Sequence, residues 1–278
     1  MRPELQEAVA VLQSGEAGAV ERALGLMQQT VFSFSMKVCG HREDAEDTAQ
    51  ETLLRTAPQL SKFESPQALA VWLYKVAHSR CLMSRRSRFR RAHVSLDEVL
   101  PDRRQLEEVL ASGRPGPEQQ LLRKENATEL RRAVLRMPPG YRQVLVLHDM
   151  EDLSTREVAG ITGLREGTVR VRLHRARALL RNQLATRPRR PRRASRTRKP
   201  SCRRLFAGLS NYLDGEIDPS LCAKLEAHLE GCPPCQRYLA SLEETVRRCQ
   251  SHCTEPIRQK LKGDLRQLVE KVMAASAK

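Results

Sequence analysis

Between Leu153 and Arg181 the chain reads LSTREVAGITGLREGTVRVRLHRARALLR, and this pattern admits few folds. Val169, Leu173, Ala176 and Leu180 recur at helical spacing, so they face a core. Arg170, Arg172, His174, Arg175 and Arg177 fall between them and are expected to face away. A shorter helix precedes this one. Ser154 is its expected N-cap, with Glu157 three residues on, the capping-box arrangement. Ala159 is small enough for close helix packing, and Gly163 allows the left-handed backbone of a tight turn. A solvated amphipathic hairpin is the bland alternative. The spacing of Ala159, Gly163 and Thr168 favours a helix-turn-helix, and a helix apolar on one side and cationic on the other suits a phosphate-lined DNA groove.

The rest of the composition agrees with small helical units. Aromatic residues make up 4% of 278 residues, so cores must be built mainly from Leu, Val and Ala. A formal net charge of +16 points to polyanionic partners, nucleic acid ahead of a membrane surface. No apolar run is long enough to cross a bilayer, and MRPELQEAVAVLQSGEAG lacks the apolar core of a signal peptide. The expected location is the cytoplasm, where thiols are mostly reduced. The eight cysteines are therefore expected as metal ligands or buried apolar residues rather than disulfides. Cys39 and Cys81, within apolar helices, read as buried.

The expected fold class is all-α: two small helical domains, the second a helix-turn-helix, joined by a flexible linker, plus a small C-terminal helical metal-binding domain. The expected boundaries are 1–92, a Pro/Gly-rich charged linker over 93–128, a second unit over 129–184 with a break at Pro138-Pro139-Gly140, a basic linker over 185–200, and a cysteine-rich unit over 201–278. The basic linker reads by itself as a plain solvated connection, but between Gly167 and Leu213 there are fifteen Lys or Arg and no Asp or Glu, so some electrostatic pull on DNA is expected. The chain's end reads as an amphipathic helix with Leu261, Leu265, Leu268, Val269 and Val272 on one face.

In the first unit, DAEDTAQETLLRTA offers Asp44 as N-cap and a stripe of Ala45, Ala49, Leu53 and Thr56. Its polar side shows Asp47, Gln50, Glu51 and Arg55; taken alone, that is ordinary surface charge. Leu69, Trp72, Leu73, Val76 and Ala77 form a second stripe. That helix then turns basic, with Arg80, Arg85, Arg86, Arg88, Arg90 and Arg91 in twelve residues. Phe63 and Phe89 flank it, able either to stack on bases or to join the core.

DAEDTAQETLLR, then AVWLYKVAHSRCL, a linker, and MPPGYRQVLVLHDMEDLSTREVAGITGLREGTVRVRLHRARALLR together resemble an extracytoplasmic-function sigma factor over about residues 15–184. The resemblance implies bacterial core RNA polymerase and promoter DNA as partners. It implies that Asp44, Asp47, Gln50, Glu51, Leu54 and Arg55 contact polymerase. It gives the −10 element to the loop with Lys62 and Phe63 and to the helix with Arg80, Arg85 and Arg86. It gives the −35 element to the helix with Arg165, Glu166, Thr168, Arg170, Arg172, His174, Arg175 and Arg177. Where the family commonly has Asn, Asp and Ser, this chain has Ser79, Met83 and Arg165, which bears on base preference.

In AHLEGCPPCQRYL, His228, Cys232 and Cys235 stand at His-x3-Cys-x2-Cys spacing, three ligands suited to one tetrahedral ion. Cys202 is the expected fourth, reaching across from a helix that ends near NYLDGEID. The segment over about 201–248 resembles the zinc-binding anti-sigma domain. Cys249 and Cys253, four apart, and the leftover Cys222 are expected as a second thiolate-rich site. Zn2+ is the expected ion, with copper or cadmium as alternative regulators of such a soft site. No nucleophile–base pair, phosphate loop or His-Glu-x-x-His motif occurs, so no enzyme and no small-molecule substrate are expected. The expected function is a sigma factor regulated by metal on its own tail. The rivals are the same factor with a thiol redox switch in the tail, a DNA-binding regulator that never touches polymerase, and a zinc nuclease.

Overall fold

The computed structural model describes residues 2–16, 18–91, 117–184, 205 and 208–251, and the regular structure among them is entirely helical. In chain order the helices are α1 (Pro3–Gln13), α2 (Ala19–Cys39), α3 (Arg42–Thr56), α4 (Pro66–Arg91), α5 (Pro117–Arg136), α6 (Pro139–Leu145), α7 (Thr155–Thr162), α8 (Glu166–Leu184), α9 (Gly208–Leu213), α10 (Pro219–Glu230) and α11 (Pro233–Gln250). A 3-10 turn, Ala57–Lys62, links α3 to α4, and a π-helical turn, Val146–Met150, follows α6.

Local chemistry sets the boundaries. α2 ends at Gly40, whose φ of 83° is the left-handed conformation a C-cap favours. Pro66, Pro139, Pro219 and Pro233 each open a helix where no backbone donor is needed. Ser154 accepts from the Glu157 backbone N–H while the Glu157 carboxylate accepts from the Ser154 N–H, completing the expected capping box on α7. Gly163 then turns the chain at φ 71° into α8. Two boundaries differ from expectation. α3 starts at Arg42 with His41 as its cap, so Asp44 lies inside the first turn, where its charge still meets the helix dipole. α5 starts at Pro117, so the last part of the expected linker is helix: Gln and Leu between Pro117 and Thr128 continue a helical pattern that the neighbouring Pro and Gly obscured. The basic run at 185–200 and the C-terminal helix expected after Lys260 lie outside the described residues, as does the linker from 92 to 116.

α1 to α4 form one bundle. The expected α3 stripe is buried, Ala45, Ala49, Leu53 and Thr56 each at 1% exposure or less. Phe34 and Tyr74 pack against each other within the bundle, ring centroids 4.9 Å apart and planes tilted by 55°. This bundle and the α5–α8 unit share a single continuous apolar core. Their junction is also polar: the buried Glu151 carboxylate accepts from Lys37 Nζ at 2.8 Å, Arg2 Nε at 2.6 Å and Tyr74 Oη at 2.6 Å. Arg142 reaches across to donate to the Val38 carbonyl at 3.0 Å. α9 to α11 keep a small core of their own around Leu209, Leu225 and Leu242.

One cysteine expectation is corrected here. Cys39 and Cys81 are buried as expected, but they are joined as a disulfide. α2 and α4, both packed against α3 and each other, bring them together, a proximity that neither helix's own pattern reveals.

Candidate nucleic-acid interface and metal centre

α3 turns Asp47 and Arg55 fully outward, with Asp44, Gln50, Glu51 and Leu54 half-exposed beside them. Glu51 accepts from Arg55 at 2.7 Å and lies 3.5 Å from Arg80 of α4. The expected polymerase-contacting positions therefore share one helix face, tied to the helix expected to meet the −10 element. Lys62 is exposed at the end of the 3-10 turn. Phe63 is half-buried and packs on Trp72, centroids 6.0 Å apart, so it belongs partly to the core. The backbones of Arg85 and Arg86 continue α4, while their side chains lie outside the described residues.

On α8, Val169, Leu173, Ala176 and Leu180 are buried as expected. Arg165, Glu166, Thr168 and Arg175 are exposed, and Arg170, Arg172 and His174 half-exposed. Burial, and then the charges of Arg177 and Arg175, lower the His174 pKa, so its imidazole is neutral near pH 7.

Arg177 contradicts the expected outward face: it is 1% exposed. Its guanidinium meets Asp149 in a two-point pair at 2.6 and 2.9 Å. It also donates to Asp214 at 2.7 and 2.8 Å and to the Ser210 Oγ at 2.8 Å. Burial alone would lower the Arg177 pKa, but Asp149 and Asp214 outweigh it and raise it. Asp149, in turn, is held below the usual carboxylate range: burial works against this, and Arg177 overrides it. The residue lies four after Leu173 and three before Leu180, so it borders the apolar stripe. That register was the available signal, together with an acid set inside the apolar run VLVLHDM.

Asp214 and Ser210 come from the third unit, which lies along α8. Arg170 donates to Glu216 at 3.0 Å, and Arg181 hydrogen-bonds Ser241 while its guanidinium sits 4.4 Å from the Tyr238 ring centroid. Three arginines of the cationic helix are thereby engaged by α9, the turn after it, and α11.

His228, at the end of α10, and Cys232 and Cys235, around the start of α11, hold their ligand atoms within 4.8 Å of one another. The imidazole Nε2 is 3.3 Å from the Cys235 sulfur. The Gly231 turn and the Pro233-Pro234 start of α11 fold this knuckle locally. One imidazole and two sulfurs at that spacing fit a tetrahedral ion such as zinc. Cys202, the expected fourth ligand, lies outside the described residues, as does Cys253. The expected second site does not assemble among the described residues. Cys222 faces Glu226 on α10, its sulfur donating at 3.5 Å. Cys249 is 1% exposed within the large shared core, where burial and then Asp149 raise its pKa. It packs as a small apolar residue because α11 lies against the π-helical turn and α8.

Comparison with known proteins decides what this architecture is. Residues 26–91 match the family described as Sigma-70 region 2, and residues 127–180 match Sigma-70, region 4. Residues 202–236 match the family described as "Putative zinc-finger". The ECF RNA polymerase sigma factor SigW of Bacillus subtilis is 26% identical over 187 residues, 66% of this chain and 98% of that protein. The chain is an extracytoplasmic-function sigma factor.

A second relative, the ECF RNA polymerase sigma factor SigE of Mycolicibacterium smegmatis, is 33% identical over 157 residues, 56% of this chain and 57% of that protein. Among solved structures, the sigma factor RpoE of Bartonella quintana, in complex with the anti-sigma factor NepR, covers 62% of this chain and 100% of its own at 20% identity and a TM-score of 0.46. As a sigma factor, the chain serves RNA polymerase in transcription initiation and is not an enzyme. No helix among the described residues is long and apolar enough to cross a membrane.

Proposed function

We propose that this sigma factor is held shut by its own tail, and that a metal ion on the tail sets when it opens. The burial of Arg177 between Asp149 of region 4 and Asp214 of the tail carries this reading. In this arrangement Glu216 occupies Arg170, and Glu216 and Asp214 stand where DNA phosphates would otherwise draw the helix. Arg165, Glu166, Thr168, Arg172, His174 and Arg175 are the remaining candidates for reading the −35 element. Lys62, Phe63, Arg80, Arg85 and Arg86 serve the −10 element, and the α3 face serves core polymerase. That last face favours a sigma role over a regulator confined to DNA. The location that fits is the cytoplasm.

Zinc is the ion that the imidazole and thiolates of His228, Cys232 and Cys235 fit, with Cys202 as the fourth ligand; copper or cadmium would suit the same soft donors. The knuckle sits at the start of α11, whose next turns carry Tyr238 and Ser241 against Arg181. Ordering the knuckle therefore orders the clasp. The ion moves the open–closed equilibrium only by its difference in affinity for the two forms. A redox switch at Cys249 is disfavoured because its thiol is buried and makes no disulfide among the described residues.

Run-off transcription with core polymerase and the full chain, titrated with zinc, copper and cadmium, tests this. The expected result is promoter-directed transcript whose yield follows one of the ions. Equal yield in every metal state would remove the regulatory role.

A further inference from the structure

The metal tail does not account for Cys39 and Cys81. Cys39 closes α2 and Cys81 lies within α4, with Cα atoms 5.6 Å apart, a separation a disulfide spans without backbone movement. Thr48 of α3 forms the third wall, its Oγ1 3.9 Å from each sulfur. The cross-link spans 42 residues and encloses all of α3, Lys62 and Phe63. A sigma factor works on the chromosome, in a compartment whose thiol pool keeps cysteines reduced. Disulfides there are rare, and those that form are usually transient or redox-sensing.

We propose that Cys39 and Cys81 are a reversible dithiol–disulfide couple, giving region 2 a thiol-redox input separate from the metal site of the tail. Cys39 is the point of entry. It is 6% exposed, against 0% for Cys81, and it lies at the end of its helix. Region 4 covers that end. Arg142 donates to the Val38 carbonyl, and Leu135 Cδ2 lies 3.1 Å from where a Cβ on Gly40 would stand. Separation of the two sigma regions uncovers the sulfur.

The oxidant is a low-molecular-weight disulfide. The Cys39 thiolate attacks one of its sulfurs, forming a mixed disulfide and expelling one small thiolate. The Cys81 thiolate then attacks the Cys39 sulfur and expels the second. The protein loses two protons and two electrons, and one small disulfide becomes two thiols. Excess small thiol runs the same steps backwards.

The test uses the zinc-loaded full chain equilibrated in glutathione buffers, quenched by alkylation, digested and read by mass spectrometry. The Cys39–Cys81 peptide is expected to go from about a tenth to about nine-tenths linked over a roughly hundred-fold change in buffer ratio, with zinc content constant. Glu151→Gln, which loosens the region junction, is expected to link about ten times faster. Cys39→Ser and Cys81→Ser each abolish the linked peptide. Initiation by the oxidised and reduced chains is expected to differ by about threefold or more. The proposal is overturned if no linked peptide forms at any ratio, if it resists excess thiol, if it appears only with zinc loss, if Glu151→Gln does not accelerate it, or if the two forms initiate equally.

Discussion

Lys37 Nζ and the Glu151 carboxylate meet at 2.8 Å with both side chains buried, the first from region 2 and the second from region 4. Arg2 completes the site on the same carboxylate. Two cations and one anion out of water tolerate no deletion, because removing one charge strands the others. Glu151→Ala is expected to cost about 3–5 kcal/mol of stability. Urea unfolding followed by circular dichroism measures this; a loss under about 1 kcal/mol would mean the junction is wet or open in solution.

Acid should open the same junction. Burial alone would raise the Glu151 and Asp149 carboxyls, but Lys37 and Arg2 lower the first, and Arg177 the second. Both carboxyls bind a proton less readily folded than unfolded. Their contribution is therefore complete above the unfolded carboxylate pKa, about 4, and is lost as pH falls through the lower folded values. The urea midpoint should fall steeply below about pH 4, and Glu151→Gln should flatten that slope.

Asp214→Asn tests the clasp without touching the two sigma regions. It weakens one of the two carboxylate pairs on Arg177 while leaving Asp149 in place. Losing one partner of a buried charge pair costs about 2–5 kcal/mol, so run-off transcription by the zinc-loaded chain should rise about tenfold or more. An unchanged yield would show that the tail does not limit initiation.

Removing a metal ligand should loosen the tail alone. Cys235→Ser is expected to take bound zinc from about one equivalent to near zero and to expose α10 and α11 to protease. Elemental analysis and limited proteolysis report the two effects. Because thiolates and a neutral imidazole are needed, zinc retention should weaken as pH falls.

The turn into the helix-turn-helix can be tested by itself. Ser154→Ala removes the side-chain half of the capping box on an exposed turn. The expected loss is about 1 kcal/mol, read from urea unfolding.

Periodicity along single helices was enough to place α3, α7 and α8, the stripe of Val169, Leu173, Ala176 and Leu180, and the capping box at Ser154, because each depends on residues about one turn from the next along a single helix. The knuckle of His228, Cys232 and Cys235 was equally legible, since its ligands lie within eight residues. Arg177, Cys249 and the Cys39–Cys81 pair were not. Arg177 borders the apolar stripe, and its burial depends on Asp149 and Asp214, 28 and 37 residues away in sequence. Cys39 and Cys81 are brought together only when α2 and α4 pack around α3. Burying a charge or pairing two sulfurs is decided by what arrives from elsewhere in the chain, and such arrivals follow from tertiary packing, which the local pattern marks only at the edge of a stripe, as at Arg177, or not at all, as at Cys39 and Cys81.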